Sequence, residues 1–250
     1  MPRARVVLVH GIRTSATMWR GQVLRLERHD LEVVPVDLPG HGARLGEPFT
    51  LEDALGVIGD ALGDPVPGVP RLLVGLSLGG YLSIEFAARH PHALEGLVAA
   101  SCGTRPRGPG LHGYLRLADA IGRLPDQGRA LNDRMARLFL SPAAVDDIVA
   151  GGVALDVMRP AITAVSELDL EASIARVEVP VWFVNGRYDH FRFEERRMLR
   201  AAADGRLVHI EGATHLVSLA RPEAFTAAVL GAVAELEVRE VRREAASAPR

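Results

Sequence analysis

The chain has no lysine: all 29 of its basic residues are arginine. That excludes every chemistry built on a lysine amine. A P-loop lacks its phosphate-cradling lysine, a protein kinase its strand lysine, and pyridoxal enzymes and Schiff-base aldolases their amine. Cysteine is almost as scarce. Cys102 alone allows no intrachain disulfide and no cysteine-based zinc site. The nine histidines are scattered and form no H-E-x-x-H, so no metal site is expected, and no cofactor is implied. Charge of one sign is lacking too. A formal net charge of −2 argues against electrostatic capture of nucleic acid or an anionic membrane. No apolar run reaches the roughly 18 residues of a membrane span. The opening MPRARVVLVHG has no long apolar segment before a small-residue cleavage site, so no signal peptide is expected and the cytoplasm is the default compartment.

What is there is an ordinary globular composition. The 250 residues are 48% hydrophobic and 24% charged, enough for one α/β domain with an insertion and a sizeable core. Short apolar runs alternate with helix-period segments. Arg5–His10, Leu31–Val36, Arg71–Leu76 and Leu94–Ala100 read as buried parallel strands. Pro35 hints at a strand end or an irregular position. Thr17–Arg28, Thr50–Leu62 and Leu78–Arg89 read as the intervening helices, with Thr50 as an N-cap and His90-Pro91 as a stop. Such alternation implies right-handed crossovers with helices on both faces.

The alternation then breaks at the Pro/Gly stretch Gly103–Gly110. Leu111–Leu124, Ala130–Leu140 and Val145–Met158 carry apolar residues at helical spacing with no convincing strand. The sheet resumes at Val179–Asn185, followed by a helix over Phe191–Ala203, a strand over Arg206–Ile210 and a helix over Pro222–Leu236. The expected organisation is a doubly wound, mainly parallel six-stranded sheet with a helical segment inserted after the fourth strand. Residues 1–102 and 173–238 form the core, 103–172 the helical insertion, and 239–250 a frayed tail.

The strongest chemical signal is Gly75-Leu76-Ser77-Leu78-Gly79, a G-x-S-x-G between a strand and a helix. A serine on so sharp a turn is strained, and the residues two before and two after it approach closely, which calls for glycine at both. The following helix start leaves unpaired N–H groups beside the serine, aimed where an oxyanion would develop. A serine hydroxyl needs a base. His215 follows the last strand on the same carboxyl edge of the sheet. His209 lies inside that strand, and His90 and His92 border a helix end. A carboxylate must orient the base. Asp189 lies just past the fifth strand, again on that edge. A rival acid after the fourth strand is missing, because Ser101-Cys102-Gly103-Thr104 holds no carboxylate. The order is then Ser, Asp, His. A second oxyanion donor is expected after the first strand, where Gly11 lets the backbone approach and the Ile12 N–H would pair with the Leu78 N–H.

With these motifs the sequence resembles the α/β-hydrolase superfamily. The resemblance rests on His10-Gly11, on Asp37-Leu38-Pro39-Gly40-His41-Gly42, on the elbow at Ser77, on Gly186 with Asp189, and on Gly212 with His215. It implies Ser77 as nucleophile, His215 as base, Asp189 as acid, and Ile12 and Leu78 as oxyanion donors. It makes the Asp37–Gly42 stretch a structural loop and the helical insertion over 103–172 a helical lid. The first two antiparallel strands of the full fold are absent. Serine at the elbow argues against the members that open epoxides or remove halide, which carry aspartate there.

The apolar lid positions Leu111, Tyr114, Leu115, Leu117, Ile121, Leu138, Phe139, Val157 and Met158 pack the lid, and a few line a pocket. Gly11, Arg13, Tyr114 and Phe139 are the substrate-binding candidates, Arg13 as a partner for a carboxylate. Met18 and Trp19 belong to the core. The expected activity is a serine hydrolase that cleaves a small ester or thioester with an apolar part through a Ser77 acyl-enzyme. The same triad also serves C–C hydrolysis, acyl transfer or elimination, and the same fold serves non-catalytic ligand sensing. A histidine base predicts an acid limb in kcat/KM near the ordinary histidine range, about 6.5.

Overall fold

The computed structural model describes residues 1–107, 116, 120, 123–126, 130, 134, 137, 140–154 and 156–247. Its six strands are β1 Arg5–Val9, β2 Glu32–Val36, β3 Arg71–Leu76, β4 Gly96–Ala100, β5 Val181–Gly186 and β6 Gly205–Ile210. They form one sheet in the order β2-β1-β3-β4-β5-β6, and every neighbouring pair is parallel. β3, β4 and β5 are buried along their whole lengths, which is why they appear in the sequence as continuous apolar runs.

Helices cover both faces. α1 Arg20–Leu26, flanked by 3-10 turns, packs with the closing helices on the face that carries Val6 and Leu8. α2 Leu51–Leu62 and α3 Leu78–Arg89 pack on the face that carries Val7 and Val9. This alternation is the period-two geometry of a strand. Thr50 caps α2 as expected, its hydroxyl accepting the Asp53 N–H at 3.1 Å. Pro35 is not a strand end. It lies within β2 opposite Leu8, and β2 is an edge strand, where a missing N–H is tolerated.

The insertion follows β4. Its described helices are α4 Pro142–Ala150, α5 Met158–Ser166 and α6 Leu170–Arg176. Ser141 and Asp169 cap α4 and α6 through their side chains. The single helix expected over Val145–Met158 is broken at Gly151-Gly152, where Gly152 takes φ 75°. The expected lid boundary at residue 172 falls inside α6, which belongs to the packing of α3: Ser173 donates to the buried Glu85 carboxylate at 2.6 Å.

Past β5 come α7 Glu195–Ala201, the single turn α8 Val217–Ala220 and the long α9 Pro222–Ser247. The sequence predicts a last helix ending at Leu236 and a frayed tail over 239–250. The helix instead continues to Ser247. Arg239 explains the extension, since it bonds Glu235 one turn back and Asp204 beside β6. Among the described residues no helix is long and apolar enough to cross a membrane.

Candidate active site

Ser77 sits between β3 and α3 at φ 55°, ψ −115°, a left-handed conformation that costs a non-glycine residue about 1–3 kcal/mol. The turn is held open by contacts that only glycine permits. A Cβ on Gly75 would lie 2.3 Å from the Gly79 carbonyl oxygen. The Ser77 N–H donates to Ala100 O at 2.9 Å, and the Gly79 N–H to His10 O at 3.1 Å. The elbow is therefore tied to β4 on one side and to the loop after β1 on the other.

Both loops that carry the other expected residues arrive at this edge. Gly186 ends β5, and a Cβ there would strike Thr214 O at 2.3 Å, so its lack of side chain lets the two loops close on each other. His215 Nε2 lies 3.0 Å from Ser77 Oγ, and His215 Nδ1 lies 3.1 Å from Asp189 Oδ1. These distances suit an Nδ1–H donated to Asp189, leaving Nε2 to accept the Ser77 hydroxyl. The His215 ring is bracketed by Phe191 and His190, with centroids at 4.6 and 5.3 Å.

Asp189 is 4% exposed. Burial by itself would raise its carboxyl. The hydrogen bond and charge of His215, the Phe191 N–H at 2.8 Å and the Ser101 hydroxyl together outweigh burial and hold it below the usual aspartate range. Burial, and after it the charge of His215, lowers His190.

Gly11 lies against the elbow, its absent Cβ 3.5 Å from Ser77 Cβ. Among the described residues, neither Ile12 nor Leu78 gives its backbone N–H to an acceptor, and both residues border the cavity that Ser77 faces. That loop is braced by His10, which accepts the Leu38 N–H on Nε2 at 3.1 Å and places Nδ1 2.8 Å from Gly11 O. Asp37 accepts the N–H groups of Ala16 and Ala43, binding two loops together.

The cavity has a volume of about 340 Å³. Leu78 and Tyr81 from α3, Ile162 and Val165 from α5, and Phe191 and Phe193 after β5 give it an apolar wall. The segment Thr104–Arg107 supplies its polar rim, where Arg105 is neutralised by Glu194 at 2.6 Å. Of the four substrate-binding candidates, Gly11 backs the elbow. Arg13 takes φ 63° and is not part of the described lining. Tyr114 and Phe139 lie outside the described residues, as do Leu111, Leu115, Leu117, Ile121 and Leu138. Val157 is buried and packs against Gly40. Met18 and Trp19 are fully buried core residues.

The lining residues missed by sequence reasoning differ in how visible they were. Tyr81 stands one helical turn after Ser77, and His190 and Phe191 follow Asp189 directly, so adjacency to the site residues could have found them. Ile162 and Val165 carry no local signal beyond an apolar helix face.

The chain is similar in sequence and fold to known proteins. A pimeloyl-(acyl-carrier protein) methyl ester esterase from Neisseria meningitidis is 29% identical over 246 residues, covering 91% of this chain and 93% of its own. A hydrolase from Pseudomonas aeruginosa superposes with a TM-score of 0.74 at 27% identity, covering 92% of this chain and 89% of its own. A thermophilic esterase from Thermogutta terrifontis has the same fold, with a TM-score of 0.74 at 24% identity over 94% of this chain and 91% of its own. A family model described as the alpha/beta hydrolase family matches residues 6–228, and the chain belongs to that family.

Proposed function

We propose that the protein is a serine esterase that cleaves a small carboxylic ester or thioester with an apolar acyl or alkyl part. The observation that carries this reading is the 3.0 Å contact between Ser77 Oγ and His215 Nε2 at the floor of an apolar cavity. Ser77 attacks the ester carbonyl while His215 takes its proton. Asp189 holds the imidazole in the right tautomer and stabilises the imidazolium. The free N–H groups of Ile12 and Leu78 receive the oxyanion. His215 then protonates the departing alcohol or thiol, and a water activated by the same ring releases the acid from the acyl-enzyme.

The insertion after β4 acts as a lid, since α5 supplies Ile162 and Val165 to the cavity wall. The named activity of the Neisseria relative, a methyl ester esterase on an acyl chain, supports the ester class. Labelling with a fluorophosphonate tests the reading. A single adduct mapped to Ser77, together with turnover of p-nitrophenyl butyrate, is the expected result. A folded protein with neither adduct nor turnover would overturn it in favour of a ligand-sensing role.

A further inference from the structure

Behind the site, β4 ends at the residue that holds the elbow. Ala100 O accepts the Ser77 N–H, and the next residue, Ser101, is fully buried and turned to φ 52°. Strain of this kind persists only where the surroundings enforce it. Here the Ser101 N–H is shared between Val184 O and Asn185 Oδ1, each at 3.1 Å. Asn185 is fixed in turn, its Nδ2 donating to Glu195 Oε2 at 2.9 Å. Glu195 is buried, and its Oε1 meets Arg192 Nη2 and His209 Nε2, each at 2.9 Å. A buried polar chain thus runs from β6 across the end of β5 to one serine.

Asp189 loads both of its strong contacts onto one oxygen. Oδ1 meets His215 Nδ1 at 3.1 Å and accepts the Phe191 N–H at 2.8 Å. Among the described residues, Oδ2 and Ser101 Oγ are both buried without a partner at full hydrogen-bond geometry. Two such atoms left apart are costly, and a turn of the Ser101 side chain that brings Oγ onto Oδ2 satisfies both. Ser101 is also among the groups that lower the Asp189 carboxyl.

We propose that Ser101 is a positioning residue for the acid: its hydroxyl donates to Asp189 Oδ2 and fixes the carboxylate so that Oδ1 stays on His215 Nδ1. The inference rests on the Ser77–His215–Asp189 reading above. It gives a role to the loop after β4, which carries no acid of its own and here supports the acid of the next loop. The titratable groups facing Asp189 are His215 and His190 from the loops after β6 and β5, Tyr81 from α3, and Cys102 beside Ser101. Burial raises Tyr81 and Cys102 and keeps both protonated.

Two variants test it. Ser101→Gly removes the hydroxyl and relieves the positive φ, while Ser101→Ala removes the hydroxyl and keeps the Cβ in place. Both are assayed for kcat and KM on p-nitrophenyl butyrate across pH, and the His215 Nδ1 proton is followed by NMR. In both, kcat should fall about tenfold with KM unchanged. The acid limb of kcat/KM should move up by about half a pH unit, because an O–H dipole no longer competes with the imidazolium for the carboxylate charge. The Nδ1 proton should shift with it. An acid limb and Nδ1 resonance identical to wild type in both variants would overturn the proposal, whatever happens to thermal stability. So would a limb that moves down. The NMR titration needs no turnover. If the wild type neither hydrolyses esters nor takes the probe, the esterase reading fails, while the Ser101 contact is still decided by the resonance.

Discussion

A Cβ on Gly79 would stand 2.3 Å from the Val9 carbonyl oxygen. The helix that follows Ser77 is pressed backbone to backbone against the end of β1, and the Gly79 N–H completes that seam by donating to His10 O. Backbone cannot move aside as a flexible side chain can. Gly79→Ala should therefore cost about 3 kcal/mol of stability and displace Leu78 from its place beside Ile12. Urea denaturation and fluorophosphonate labelling rates measure both effects. A variant with wild-type stability and labelling would contradict the seam.

The triad assignment makes a sharper demand. Ser77→Ala, His215→Ala and the double variant should each lower kcat/KM by roughly 10⁴, because groups that act as one unit do not add. All three should retain the fold, since no core contact depends on either side chain alone. Initial rates on p-nitrophenyl butyrate, with circular dichroism as control, decide this. Near-wild-type activity in Ser77→Ala would sink the nucleophile, and a double variant far weaker than the singles would mean the two residues act separately.

Substrate length should follow the wall of the cavity. Ile162 and Val165 come from α5 and face Ser77 across an apolar space. Ile162→Trp fills part of it. Hydrolysis of an octanoyl ester should fall about tenfold relative to the butyryl ester, on the scale of a few methylenes excluded from an apolar pocket. An unchanged octanoyl-to-butyryl ratio in kcat/KM would show that the acyl chain takes another path.

How much of this was legible depends on what kind of signal each part carries. β3 and α3 were readable to the residue because Gly75 and Gly79 punctuate the turn between them. The order of Ser77, Asp189 and His215 along one sheet edge was readable because each follows a strand, the buried β3 and β5 before the first two and the half-buried edge strand β6 before the third. The end of α4 was not. Apolar spacing continues through Gly151-Gly152, yet α4 stops at Ala150, before the positive φ of Gly152, and α5 begins only at Met158. The extension of α9 was hidden for the opposite reason. Its last turns lack an apolar stripe, and Arg239 is held by carboxylates one turn back, at Glu235, and off the helix, at Asp204 beside β6. The partnership proposed for Ser101 and Asp189 is likewise invisible in sequence, because 88 positions separate two residues that follow neighbouring strands, β4 and β5.

Stability should fall as the medium is acidified, and should do so well before the carboxylates titrate. His10 is fully buried, its ring centroid 4.7 Å from that of His41. Burial first, and His41 second, push it down to about 3 from an ordinary 6.5, against the pull of the Gly11 carbonyl. Burial lowers His41 in the same direction. The unfolded chain therefore binds protons below pH 6.5 that the folded chain refuses. The stabilising contribution is fully present above pH 6.5 and is lost as pH falls toward 3, at about 1.4 kcal/mol per pH unit for each such histidine. Asp189 has the opposite dependence on its charged form: its carboxyl is held below the ordinary 3.8, so its contribution is lost only once the pH drops beneath that value. Urea denaturation at pH 8, 6.5, 5.5 and 4.5 should show a free energy of unfolding that is level between the first two and then declines. His10→Gln should be weaker at pH 8 yet decline less steeply, because the group that refuses the proton is gone. A wild-type free energy that stays level down to pH 4.5 would mean that the loop before Ile12 opens to let His10 charge, and the brace that His10 gives this loop would not be a fixed one.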